Sequence, residues 1–178
     1  MSNNICVLSI YCNFQDRTIQ TLVNLLGSLC KQLTIDRGGV SKSLSEFREA
    51  HIKEQSLPTP SGLVEGLNVE LKGFERVYIV IDGLDESSGE VMGPLVESLC
   101  GLIPTTQLLV TSRDTYAIRE NFMGRGFSEL RITANETDLE RYINTQLAAS
   151  DLGRMVDHSK SITREDVKQT VIGKTNGM

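Results

Sequence analysis

Three carboxylates and one guanidinium carry the chemistry this sequence could perform. In RVYIVIDGLDESS, residues 76–88, an apolar run closes on Asp82, and Asp85 and Glu86 follow within four positions. A carboxylate fixed at the end of a rigid strand can hold magnesium, usually through water. Gly83 beside it keeps the backbone clear of the metal's hydration shell. A later acid can orient or deprotonate an attacking water. Glu86 is the first choice for that role, with Asp85 as its competitor. In QLLVTSRD, residues 107–114, Arg113 follows a second apolar run. Its guanidinium fork suits phosphate oxygens and could sense a γ-phosphate. A loop behind a buried strand is often acidic simply because it is solvated. IDGLDES followed by LLVTSR about 25 residues later favours a site over that plainer reading.

The elements that must position these groups follow from hydrophobic periodicity. Ile5–Cys12, Val77–Ile81 and Gln107–Thr111 read as buried strands, and Phe127–Ile132 as a further candidate. Helical spacing of Ile19, Leu22, Val23, Leu26, Leu29 and Leu33 predicts a helix from Thr18 to near Asp36. Further helices are predicted over Ser41–Lys53, Ser61–Leu71 and Glu90–Leu102, over a segment capped by Asn135 or Thr137 with Leu139, Tyr142, Ile143 and Leu147 on its apolar side, and over Ser161–Ile172 with Thr163 and Asp166 at its start. Alternating strands and helices with continuous apolar strands imply an α/β fold. Its sheet would be mainly parallel and covered on both faces. Ligands bind such sheets at the C-terminal strand ends, where Asp82, Asp85, Glu86 and Arg113 all fall.

Composition narrows the function. At 178 residues the chain is long enough for one core. A net charge of −5 with no dense Lys/Arg cluster argues against nucleic acid as a partner. No apolar run approaches the roughly 20 residues of a membrane span, and the N-terminus has no basic region of a signal peptide. Cys6, Cys12, Cys30 and Cys100 form no CxxC pair or Cys/His cluster. They read as buried thiols in a reducing compartment, which places the chain in the cytoplasm. His51 and His158 lie in polar segments and carry no assigned chemistry.

YIVIDGLDES with LLVTSR closely resembles the NACHT-type NTPases of the STAND class, signalling ATPases related to AAA+ proteins. The variant looks like the fungal NACHT proteins and the nephrocystin-like N-terminal domain. YCNFQD resembles the strand and turn after the family's P-loop helix, LVNLLGSLCKQL the helix after that, TDLERYINTQL the segment after the fifth strand, and Gly177-Met178 the start of a GMF motif. The resemblance implies a three-layer P-loop NTPase-like sheet flanked by helices, with a Walker B and sensor core at 1–134 and the start of a helical part at 135–178. It implies Asp82 as the magnesium acid, Asp85 and Glu86 as extended Walker B acids, and Arg113 as the sensor arginine. It also implies Mg2+ and ATP or ADP as ligands, and self-association through the NTPase domain of the full-length protein.

One part of that pattern is missing. A P-loop reads GxxxxGK followed by Ser or Thr, and its backbone N–H groups cradle the phosphates. The only Gly-Lys-Thr here is Gly173-Lys174-Thr175, with Lys168 where the first glycine should stand. It lies C-terminal to Asp82 with no strand before it, so it reads as a decoy. By the resemblance, the first strand, phosphate loop and helix belong before residue 1, a unit of roughly 30 residues. That strand would sit between the Arg113 strand and the one at 127–132. Its loss would leave a gap or force those two to pair, a marginally stable arrangement. No ATP hydrolysis is expected from this chain alone. The competing readings are an interaction or regulatory module without nucleotide binding, and a magnesium-dependent hydrolase using Asp82, Asp85 and Glu86.

Overall fold

The computed structural model describes residues 4–36, 39–133, 135–159 and 161–175. The chain divides into two compact units, Met1–Phe127 and Ser128–Met178. Three parallel strands, β1 (Ile5–Tyr11), β2 (Arg76–Asp82) and β3 (Thr106–Val110), form one sheet in the order β1-β2-β3. Register places Leu8 beside Ile79 and Ile79 beside Leu108. Among the described residues there are eight α-helices. The fold is therefore α/β with a parallel sheet, as its alternating pattern predicts.

In the first unit the helices are α1 (Leu22–Asp36), α2 (Lys42–Glu54), α3 (Pro60–Leu71), α4 (Gly89–Cys100) and α5 (Tyr116–Phe122). Apolar residues three and four apart put one stripe of each long helix on the sheet. Leu26, Leu29 and Leu33 of α1, Leu67 and Leu71 of α3, and Leu95 and Leu99 of α4 are buried there, against Cys6, Leu8, Ile10, Val77, Ile79 and Ile81. Side-chain caps set the helix starts: Ser41 accepts from the Leu44 N–H, and Thr59 from Gly62, with Pro60 opening α3. The Ser41 hydroxyl also donates to the buried Glu70 at 2.6 Å.

Among the described residues of the first unit, helices cover one face of the sheet. Burial alternates along β1 and β2, and Val7, Tyr11 and Leu109 on the opposite face are exposed. This corrects the expectation of helices on both faces. The strands are continuously apolar, yet side chains alternate in direction, so apolar residues also point away from the helices. The candidate strand at Phe127–Ile132 is a second correction, because the segment forms no strand. Its glutamate and arginine alternate with apolar residues, and Leu130 and Ile132 are exposed. Gly124 and Gly126, both at positive φ, turn the chain just before it.

The two edges of the sheet also differ. β1 is closed by side chains: the Gln32 amide of α1 accepts from Ser9 N–H (2.9 Å) and donates to Ser9 O (2.8 Å). Gln20 accepts from Asn13 N–H and donates to Tyr11 O, both at 3.1 Å. On β3 the ladder sends the backbone groups of Gln107 and Leu109 toward β2 and those of Leu108 and Val110 outward. Among the described residues no strand meets those outward groups. The buried Thr106 hydroxyl there has no hydrogen-bond partner.

Smaller expectations were also off. Ile19 precedes α1 and is exposed, because a 3-10 turn at Phe14–Asp16 and a further turn delay the helix to Leu22. Only Cys6 and Cys12 are buried; Cys30 is half-buried and Cys100 exposed. In the second unit, α6 (Glu136–Ala149) is capped by Asn135, but Tyr142 is exposed rather than on the buried side with Ile143 and Leu147. The short helices α5 and α7 (Asp151–His158) were not expected. At α8 (Arg164–Thr175) Thr163 and Asp166 cap each other reciprocally, with Thr163 N–H on Asp166 Oδ2 at 2.8 Å and Asp166 N–H on the Thr163 hydroxyl at 3.1 Å. Gly173-Lys174-Thr175 lies in the last turn of α8, and Gly177-Met178 lies outside the described residues. No described helix is long and apolar enough to cross a membrane.

Candidate functional site

The C-terminal edge of the sheet brings Asp82, Asp85, Glu86 and Arg113 onto two adjacent loops. β2 ends at Asp82, and Gly83 then takes a left-handed conformation (φ 67°, ψ 39°) that turns the chain into a 3-10 turn, Leu84–Glu86. A glycine is favoured there for two reasons. Left-handed backbone is strained for other residues, and a Cβ would stand 3.3 Å from Cys12 O. Leu84 is fully buried and anchors the turn.

Thr111, at the end of β3, ties the two loops together. Its N–H donates to Ile81 O (2.9 Å) and its carbonyl accepts from Leu84 N–H (3.0 Å). Its hydroxyl accepts from Gly83 N–H (3.0 Å) and donates to Asp82 Oδ1 (2.5 Å). The one hydroxyl proton is thus directed onto the carboxylate, which fixes the Asp82 side chain as an acceptor. Nothing in the sequence reading assigned Thr111 a role. The available signal was a hydroxyl residue two positions before Arg113 on the neighbouring strand.

Asp85 and Glu86 reach in opposite directions. Asp85 Oδ1 accepts from the Arg113 backbone N–H (2.9 Å) and Oδ2 from Arg113 Nε (2.6 Å). The Asp85 side chain is only 6% exposed, whereas Arg113 is 77% exposed. Burial pushes the Asp85 carboxyl up, but the Arg113 N–H and guanidinium outweigh it and hold the group below its ordinary range. Glu86 Oε2 accepts from Phe14 N–H (3.2 Å), and the Glu86 carbonyl accepts from Arg17 Nε (2.9 Å). That side of the site, the Phe14–Arg17 turn after β1, was also missed in the sequence.

The cluster has an electrostatic effect on Cys12, whose N–H donates to Asp82 O at 2.9 Å. Burial, then the charges of Glu86, Asp82 and Asp85, push its thiol up to about 11. It stays protonated at neutral pH and is a poor nucleophile.

Among the described residues no group of three His, Cys, Asp or Glu side chains could hold a metal ion. Asp85 is committed to Arg113 and Glu86 bonds the β1 turn, which leaves Asp82 as the exposed carboxylate at the strand end. One carboxylate fits a magnesium ion that arrives with phosphate and water ligands, not a freestanding metal centre. A groove of about 750 Å³ runs along α6 and a cavity of about 280 Å³ lies beside the end of α4 and β3, and neither is lined by any of the four candidate residues.

The profile of the family described as Nephrocystin 3, N-terminal, matches residues 1–113. No curated protein and no solved structure matches. The matched segment contains all three strands and ends on Arg113, so it takes in both loops of the site. With well over half of its length matched, and the sheet and its acidic edge inside that match, the chain belongs to the nephrocystin 3 N-terminal family.

Proposed function

We propose that this chain is the Walker B and sensor portion of a NACHT-type nucleotide switch, built on a P-loop NTPase-like sheet of which a part is supplied by another segment. The observation that supports it best is the placement of Asp82 and Arg113 at adjacent strand ends, Asp82 held by the Thr111 hydroxyl and Arg113 by the Asp85 carboxylate. Asp82 is the acid on the magnesium side and Arg113 the group that reads a terminal phosphate. Magnesium, when bound with nucleotide, would neutralise charge on the phosphates. Glu86 is the better candidate for orienting water, since both Asp85 oxygens accept bonds from Arg113.

The open edge of β3 and the open sheet face fit the same reading. A strand–loop–helix unit would lay its strand on β3, its helix over Val7 and Leu109, and its loop beside Asp82. That loop would carry the N–H cradle which the sequence GxxxxGK provides and which these 178 residues do not contain. Self-association through the completed domain, with the nucleotide state as the switch, follows from the same proposal.

A second reading, a binding module without nucleotide chemistry, is favoured by the missing cradle. Calorimetry with magnesium-ATP and ADP separates the two. The isolated chain should show no micromolar binding, only weak anion binding at Arg113 that its Asp82→Ala variant retains. The chain carrying an N-terminal strand, GxxxxGKT loop and helix should bind at micromolar level and lose binding on Asp82→Ala. Failure of the completed chain to bind would leave the non-nucleotide module as the better account.

A further inference from the structure

The Asp85–Arg113 pair is lopsided, and the asymmetry assigns a role. The carboxylate is almost completely buried and the guanidinium is exposed. One carboxylate takes two bonds from the same residue: the backbone N–H fixes the loop, and Nε fixes the side chain. A long flexible side chain is thereby tethered at its root and at its head. Neither bond uses the two Nη nitrogens, so the tether leaves them for another acceptor. The adjacent acid does not compete: both Asp114 oxygens accept from Arg119 of α5, from Nε at 2.6 Å and Nη2 at 2.7 Å. Arg113 and Asp114 are thus hooked in opposite directions, backward to the β2 loop and forward to α5.

We propose that Asp85 is a positioning residue that holds the Arg113 guanidinium ready for a phosphate-class anion, and that it does not act as an acid or base on substrate. This rests on the reading of Arg113 as the phosphate-sensing group. Asp82 is held in a parallel way by the Thr111 hydroxyl, so each presented group has its own support. Preorganisation of this kind lowers the cost of ordering the side chain when the anion binds.

The role has a signature of its own. Asp85→Asn removes a negative charge 2.6 Å from a cation. Coulomb's law alone predicts tighter anion binding after that change. Positioning predicts the opposite, a loss of about tenfold. The measurement is a tripolyphosphate titration of the full chain, followed by the Arg113 Nε–Hε resonance and by calorimetry. The expected result is an Arg113 shift that saturates in the wild type, weakens about tenfold in Asp85→Asn, and is absent in Arg113→Gln. Arg113→Lys keeps the charge and the Asp85 carboxylate but cannot reproduce the Nε bond, and should weaken binding similarly even if Asp85→Asn does not fold. Binding that depends on Arg113 yet is unchanged or tighter in Asp85→Asn or Arg113→Lys would overturn the positioning role and leave the phosphate reading intact. No response of Arg113 in the wild type, or binding indifferent to Arg113→Gln, would overturn both.

Discussion

The two outer edges of the sheet are treated differently. Along β1, two glutamine amides stand in for a missing strand, with Gln32 matching both backbone groups of Ser9 and Gln20 bridging Tyr11 and Asn13. Along β3, an apolar run of similar character presents Leu108 and Val110 to no strand among the described residues, with a buried Thr106 hydroxyl left unpaired beside them. Bare strand edges invite pairing with other chains, and proteins normally blunt them. Here one edge is finished by the chain's own side chains and the other is not. The loops repeat the division: Glu86 bonds the finished side, through Phe14 and Arg17, while Asp85 bonds the unfinished side, through Arg113. The site therefore sits where a half of the sheet closed by side chains meets a half whose outer edge no strand covers among the described residues.

Hydrogen exchange measures this difference directly and should show the largest effect. The amides of Leu108 and Val110 should exchange about a hundredfold or more faster than those of Gln107 and Leu109, which face β2. Ser9 also points outward but should be slow, because Gln32 holds it. Equal protection along β3 would mean its outer edge is covered in solution, for instance by a second copy. Removing the seal is the next test. Gln32→Leu leaves the Ser9 N–H and C=O unmatched and should cost about 1–3 kcal/mol by urea denaturation. Gln20→Leu should cost less, since its bond to Tyr11 O is exposed. If Gln32→Leu is as stable as the wild type, the amides are incidental and the contrast between the edges loses its basis.

Much of the covered half was legible in the sequence. The strands at 5–12, 77–81 and 107–111 and the helices α1 to α4 follow from strong periodicity and plain stop signals. The convergence of Asp82, Asp85, Glu86 and Arg113 on one edge followed from the rule about strand ends. The open half was not legible, for a physical reason. A continuous apolar strand shows that both faces want cover, not that both receive it from the residues at hand, so Val7 and Leu109 were expected inside. Phe127–Ile132 looked like a strand because apolar residues recur there, but a strand exists only with a partner. The side-chain ties were also hidden. Nothing local marks Gln32 as a partner for Ser9, 23 residues away, or Thr111 as a partner for Asp82, 29 residues away.

The turn that joins the two halves gives a smaller effect. Gly83→Ala places a Cβ on left-handed backbone, 3.3 Å from Cys12 O. It should destabilise the chain by about 1–2 kcal/mol and shift the amide signals of both flanking loops. A shift confined to the Asp85–Arg113 side would show that the two halves are less closely joined at Gly83 than the bonds from Cys12 N–H to Asp82 O and from Gly83 N–H to Thr111 suggest.

The smallest effect is expected at Asp85, where pH separates charge from shape. Its folded carboxyl lies below the ordinary 3.8, because the bonds from Arg113 outweigh the effect of burial. A depressed carboxyl adds stability in full above its unfolded value and loses it as pH falls through the folded one. Asp85→Asn should therefore be less stable than the wild type at neutral pH, and the gap should close in acid, below the ordinary aspartate range. Arg113→Gln removes the Nε bond but keeps the backbone N–H, so its gap should be smaller and close over the same window. Denaturant unfolding of the three proteins at a series of acid pH values gives the comparison. Curves that stay parallel into strong acid would mean that the pair contributes no proton linkage. Arg113 would then be held by the backbone bond alone, and the unfinished half of the sheet would be tied to the finished half by Thr111 and not by its charges.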